Sequence, residues 1–150
     1  MKWVTRERPK IDRIACPWLI ARFIDPAAEF LYVPADQVLQ VAAETGATPY
    51  DIPGVEYGHR GELCSFDAFL DKHGLDEPAL RQLAVIVRGA DTDRHGLHPV
   101  CAGLHAVSLG LSQTFVDDHE MLGYGMVIYD ALYAWVKQGQ GERHTWNYPA

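Results

Sequence analysis

Residues 11–34 read IDRIACPWLIARFIDPAAEFLYVP, and one structural period gives way to another inside this stretch. Ile11, Ile14, Trp18 and Phe23 recur at helical spacing, which predicts a helix over residues 11–25 with an irregular first turn. Proline has no N–H to bond to a preceding turn, so Pro17 is expected at the first helical position with Cys16 as the cap. Glu29–Val33, EFLYV, is aromatic and branched and lies between Pro26 and Pro34, as suits a strand. The KWVT of residues 2–5 offers a strand ahead of the helix, and residues 50–52 or 55–57 offer a third.

Outward from this stretch the pattern is mostly helical. Residues 36–44 form a short helix ending at Gly46, and Ser65 is expected to cap a helix that runs to His73 and stops at Gly74. Asp76 and Pro78 open a helix whose stripe of Leu80, Leu83, Ala84 and Val87 continues to Asp91. Residues 99–111 are small and apolar. Asp117 or Asp118 then opens a last long helix to Lys137, with Leu122, Met126, Tyr129, Leu132, Tyr133 and Val136 on its apolar face. No repeat or linker interrupts the chain. The expected fold is therefore α+β: a mainly helical single domain over residues 1–138, with a small β-sheet covered by helices and a tail over residues 139–150. Trp146 and Tyr148 in that tail hint at a partner surface, such as a contact within a homo-oligomer.

With 150 residues, 48% of them hydrophobic and 22% charged, the chain can bury one substantial core. A net charge of −7 argues against capture of nucleic acid through phosphate neutralisation. The start, MKWVTRERPK, lacks the apolar run of a secretory signal, and residues 123–136 carry Asp130 and are too short to span a bilayer. A cytoplasmic protein without membrane contact is expected. Three cysteines, Cys16, Cys64 and Cys101, make neither a disulfide framework nor a paired zinc motif.

The chemistry-bearing groups gather in a second stretch, EYGHRGELCSFD at residues 56–67. His59 lies beside the Gly58 and Gly61 hinges, Asp91 ends one core-facing stripe, and His119 begins another, three residues before Leu122. Imidazole and carboxylate together suit a divalent transition metal, with Zn, Fe, Mn and Ni all open, and Glu62 is an additional ligand or a general base. A thiol at a helix amino terminus beside Arg13 would be a better nucleophile, which makes Cys16 a candidate catalytic residue. Lys10, Arg13, Arg60 and Arg88 supply donors for a small oxyanion, although Arg13 and Arg88 equally suit pairing with Asp12 and Asp91. His119 can also be read as an ordinary histidine near a helix start, Asp91 as a terminating residue and Cys16 as a small buried one. Asp117 and Asp118 suit helix capping.

Four stretches then converge on a known family: residues 3–34, GHRGELCSFDAFL at 58–70, IVRGADTDR at 86–94, and SLGLSQTFVDDHEMLGYGMVIYDALYAW at 108–135. Together they resemble the carboxy-terminal domain of ChrB-type chromate-resistance proteins, over nearly the whole chain. Lys10, Asp12, Arg13, Cys16, His59, Arg60, Glu62, Arg88, Asp91 and His119 all fall on matching motif positions. The family is associated with chromate resistance operons, and its longer members are regarded as chromate-responsive regulators with an additional amino-terminal region. Because this chain begins almost at KIDRIACPW, the resemblance implies a domain that senses, binds or processes a ligand rather than one that contacts a promoter. Two expectations follow. One is a stress-response domain that binds a metal and a small oxyanion, such as chromate or a related molecule, with Asp12, Arg13 and Arg60 on the ligand side. The other is a metal-dependent enzyme that activates water or performs redox chemistry on a small substrate in the same pocket.

Overall fold

The computed structural model of the chain describes residues 1–146. Its three-stranded sheet is parallel throughout, in the order β2-β1-β3. The central strand β1, Lys2–Arg6, pairs with β2, Glu29–Val33, from Lys2 opposite Glu29 to Arg6 opposite Val33. On its other side it pairs with β3, the two-residue strand Thr48–Pro49. Covered on both faces, β1 buries Trp3, Val4 and Thr5 in succession rather than alternating. Parallel neighbours need long crossovers. The first contains α1, Asp12–Leu19, with a π-helical turn at Ile20–Ile24, and the second contains α2, Val38–Thr45.

Four further helices complete the domain: α3, Ser65–Lys72; α4, Pro78–Asp91; α5, Cys101–Thr114; and α6, Asp118–Ala134, which runs on into a π-helical turn at Trp135–Gly139. The expected α+β class, mainly helical with a small sheet, is what the chain adopts. Trp3 of β1, Ile14 and Trp18 of α1, Phe66 and Phe69 of α3, Leu83 and Val87 of α4, and Met121 and Tyr129 of α6 share one buried cluster. Gly125 marks the closest approach: a Cβ there would collide with the Ile14 side chain. Among the described residues no helix is long and apolar enough to cross a membrane.

Several boundaries differ from the sequence expectation. α1 begins at Asp12, so Pro17 lies inside it and Cys16 sits more than a turn in, fully buried, rather than at the cap. The Ile11 carbonyl starts the helix by accepting from the Ile14 and Ala15 amides at 3.0 and 2.8 Å. Pro17 forgoes only the bond to the Arg13 carbonyl, a cost that core burial of Ile14, Trp18 and Leu19 outweighs. The third strand lies at Thr48–Pro49, just before the expected residues; Tyr50 and Tyr57 form only an isolated bridge. α3 is capped by Cys64, whose amide donates to Asp67 Oδ2 at 3.0 Å, and Ser65 is its first residue. Of the expected tail, Tyr148 lies outside the described residues, and Trp146 is 75% exposed.

Candidate metal centre

Arg6 ends β1 and Asp51 lies just beyond β3, so both occupy the carboxyl ends of parallel strands, where open sheets of this kind present ligand-binding groups. Asp12 opens α1, Asp91 ends α4, and His59 stands in the loop before α3. One ligand atom from each of Asp12, Asp51, His59 and Asp91 lies within 4.8 Å of the others. His59 Nε2 is the hub: it is 3.1 Å from Asp51 Oδ1, 3.1 Å from Asp91 Oδ2 and 3.5 Å from Asp12 Oδ2. Bonds of about 2.0–2.2 Å to one tetrahedral ion would set its donors roughly 3.4 Å apart, close to this spacing.

Each of these four side chains is held by its own scaffold. Asp12 is fully buried and accepts from the Ser65 and Phe66 amides at 2.8 and 3.1 Å, so its carboxylate closes the amino terminus of α3. Asp51 adopts a left-handed backbone with φ 54°, a conformation that aspartate tolerates better than most residues. Its Oδ1 accepts from Ser65 Oγ at 2.8 Å, while its Oδ2 lies 3.3 Å from Arg6 Nη2 and 3.6 Å from Arg13 Nε. His59 is positioned by Gly58, where a Cβ would stand 2.8 Å from the Ile52 carbonyl oxygen; only glycine lets this loop close on residues 51–55.

Charge accounts for the titration behaviour. Burial pushes the Asp12 carboxyl up to about 7, against the hydrogen bonds from His59 and Cys16, with Asp51 and Asp91 adding repulsion. For Asp51, burial works in the same direction but is overcome by hydrogen bonds from His59 and Ser65 and by Arg13, leaving its pKa below the usual value. Hydrogen bonds to Asp12, Asp51 and Asp91 raise His59 far above the ordinary imidazole range, with burial opposing. A protonated His59 nonetheless presents one Nε2–H to three carboxylate oxygens. A single N–H can point well at only one of them, whereas a cation bonds to all at once.

The other candidates fall outside the four-residue cluster, although Cys16 and Arg13 touch its members. His119 is exposed on α6 and packs edge-on against Tyr32, with ring centroids 5.4 Å apart; Asp12 and Asp51 stand where a third ligand was expected from it. The Glu62 side chain is 88% exposed, pairs with Arg94 and is not among the clustered groups. Arg60 is exposed beside Asp71, and Arg88 donates to Asp67 through Nε and Nη2 at 3.1 and 2.8 Å. Lys10 is exposed on the surface. Cys16 donates to Asp12 Oδ1 at 3.3 Å, and burial followed by the Asp12 charge raises its pKa well above that of a free thiol. The premise of an activated thiolate at a helix end therefore fails. Arg13 does stand at the site, donating to the Arg6 and Glu7 carbonyls at 2.9 and 3.0 Å.

Sequence reasoning missed Asp51 and Arg6. The available signal for Asp51 was its place between a strand and a Pro- and Gly-bearing turn; for Arg6 it was the end of β1. A cleft of about 450 Å³, lined by Arg6, Asp51, Ile52, Pro53, Gly54 and His59, opens beside the centre.

Residues 3–136 match the family described as ChrB, C-terminal domain. The protein ChrB of Cupriavidus metallidurans is 35% identical over 135 residues, an alignment that covers 88% of this chain and 40% of that protein. The chain thus spans about two-fifths of the length of that curated relative. No solved structure matches.

Proposed function

The chain belongs to the family of ChrB C-terminal domains, and from that premise we propose that it serves chromate resistance as a domain that binds a divalent metal and, beside it, a small oxyanion. Membership supports the association with chromate resistance. The metal reading is carried by one observation: the His59 nitrogen faces three carboxylate oxygens at 3.1–3.5 Å, two of them from side chains at least 95% buried. Three carboxylates gathered in so small a volume are costly unless a cation offsets them. One nitrogen and three oxygens form a hard donor set that suits Mn or Fe and accommodates Zn or Ni.

Asp12, Asp51, Asp91 and His59 would hold the ion, which would supply Lewis acidity and a fixed positive charge. The chain's own groups orient that set: the α3 amides hold Asp12, and Arg6, Arg13 and Ser65 hold Asp51. Chromate is a dianion, so its contacts would be donors and cation rather than bare carboxylates. All three cysteines are free thiols, which fits a reducing cytoplasm.

The enzymatic reading is favoured by a different feature. The His59 side chain is 41% exposed and the cleft adjoins it, so the centre has an open side, as catalytic metal sites do. Glu62, expected as a general base, is 88% exposed, pairs with Arg94 and is not one of the clustered groups.

Equilibrium dialysis against Mn, Fe, Zn and Ni tests the proposal. One ion per chain at micromolar free metal is expected, and no uptake of any of the four contradicts it. Turnover of a small oxyanion or ester by the loaded protein decides for the enzyme, and binding without turnover decides for the sensor.

A further inference from the structure

The cleft beside the centre has a second wall that the metal reading does not use. Arg6, at the end of β1, lines it along with His59, the apolar Ile52 and Pro53 and the open Gly54 turn. One arm of the Arg6 guanidinium is committed, since Nη2 donates to the Asp51 carbonyl at 3.0 Å and to Asp51 Oδ2 at 3.3 Å. Its Nε is shielded from solvent and has no hydrogen-bond partner. That nitrogen is out of a ligand's reach, but the side chain as a whole is 40% exposed and lines the cleft, where its charge would receive an oxyanion.

The charges point the same way. Asp12, Asp51 and Asp91 bring three negative charges and Arg6 and Arg13 two positive ones. A proton on His59 makes this set neutral, whereas a divalent ion in its place leaves one net positive charge, which an anion would balance.

Resting on the metal proposal above, we infer that the cleft is an anion subsite in which Arg6 and the metal receive different oxygens of the same small oxyanion, so that anion binding depends on both. Arg6 is then the residue that selects the ligand, in place of Arg60 and Arg88, whose guanidinium groups pair with Asp71 and Asp67. The shared ligand chemistry is an anion with two separated oxygens, either tetrahedral or planar. Sulfate and oxalate serve as redox-inert probes of the two shapes.

The experiment titrates sulfate and oxalate calorimetrically into manganese-loaded and metal-free wild type and into loaded Arg6→Met and Arg6→Lys, with metal content read by elemental analysis on the same samples. Loaded wild type is expected to bind at least one probe, and removing the metal to weaken that binding tenfold or more. Arg6→Met is expected to keep its metal and lose tenfold or more in anion affinity. Arg6→Lys keeps a positive charge near Asp51 without the planar guanidinium fork; it should lose a similar factor, and it decides the matter where Arg6→Met gives up metal. Loaded Arg6 variants that bind as tightly as wild type, or a loaded wild type that binds neither probe, would overturn the inference. A wild type that takes up no metal overturns the metal proposal and this inference with it, and the elemental analysis distinguishes that result from loss of the anion subsite alone.

Discussion

Asp12 joins two functions in one side chain. It closes the amino terminus of α3 through two amides and turns an oxygen toward His59. Asp12→Ala should therefore lower stability by about 2–3 kcal/mol, because two buried amides lose a charged acceptor, and it should lower metal affinity as well. Asp12→Asn keeps one acceptor oxygen and should recover part of the stability but little of the affinity; urea denaturation and metal titration read the two effects separately. All three thiols are fully buried, so thiol-specific labelling of the native protein should run at least about 100-fold slower than in denaturant. Rapid native labelling at Cys16 would restore the activated-thiol reading. His59 and Asp91 were legible as members of the cluster because a histidine between glycines and a carboxylate ending an apolar stripe both have to be accommodated. His119 was misplaced by its spacing from Leu122. The buried stripe of α6 runs through Met121, Leu122, Gly125 and Tyr129, and at 100° per residue His119 lies roughly 100° from its centre.

At the scale of elements, α1 and α6 pack closely enough to require glycine at one position and not at another two residues away. Gly125→Ala would drive a methyl group into Ile14 and should cost about 1–3 kcal/mol. Gly123 faces open space on the same helix, so Gly123→Ala should add up to about 1 kcal/mol through helix propensity. Thermal melts of the two variants that shift in the same direction would contradict this packing. Helix existence was readable from the stripes of α4 and α6, whose apolar spacing persists over several turns. The start of α1 was not, because a proline usually marks a first turn, while here the preceding Asp12 is held by α3, more than fifty residues later in the chain. Such long-range capping leaves no local trace in the sequence. The same holds for β3, only two residues long, which exists because the end of α2 delivers it to β1.

The molecule as a whole gathers its acidic and imidazole groups from four separate segments, so its response to pH reports on the centre. In the metal-free protein the raised Asp12 favours the protonated folded state, so its contribution is present at low pH and is lost as pH climbs from about 4 toward 7. His59, also raised in the folded state, stabilises fully below its unfolded value near 6.5 and loses that contribution as pH rises above it. Both act in the same direction, and metal-free protein should melt at least about 3 °C lower at pH 8 than at pH 5.5. Metal must displace these protons, so its affinity should run the other way, rising with pH by about tenfold per unit for each proton released. The measurement that bears most directly on the centre is the metal content, by elemental analysis, of wild type, His59→Ala and His119→Ala after exposure to divalent metal. One ion per chain in wild type and in His119→Ala, with less than a tenth of that in His59→Ala, is the predicted result. Equal metal in all three, or a loss that follows His119 instead of His59, would contradict it.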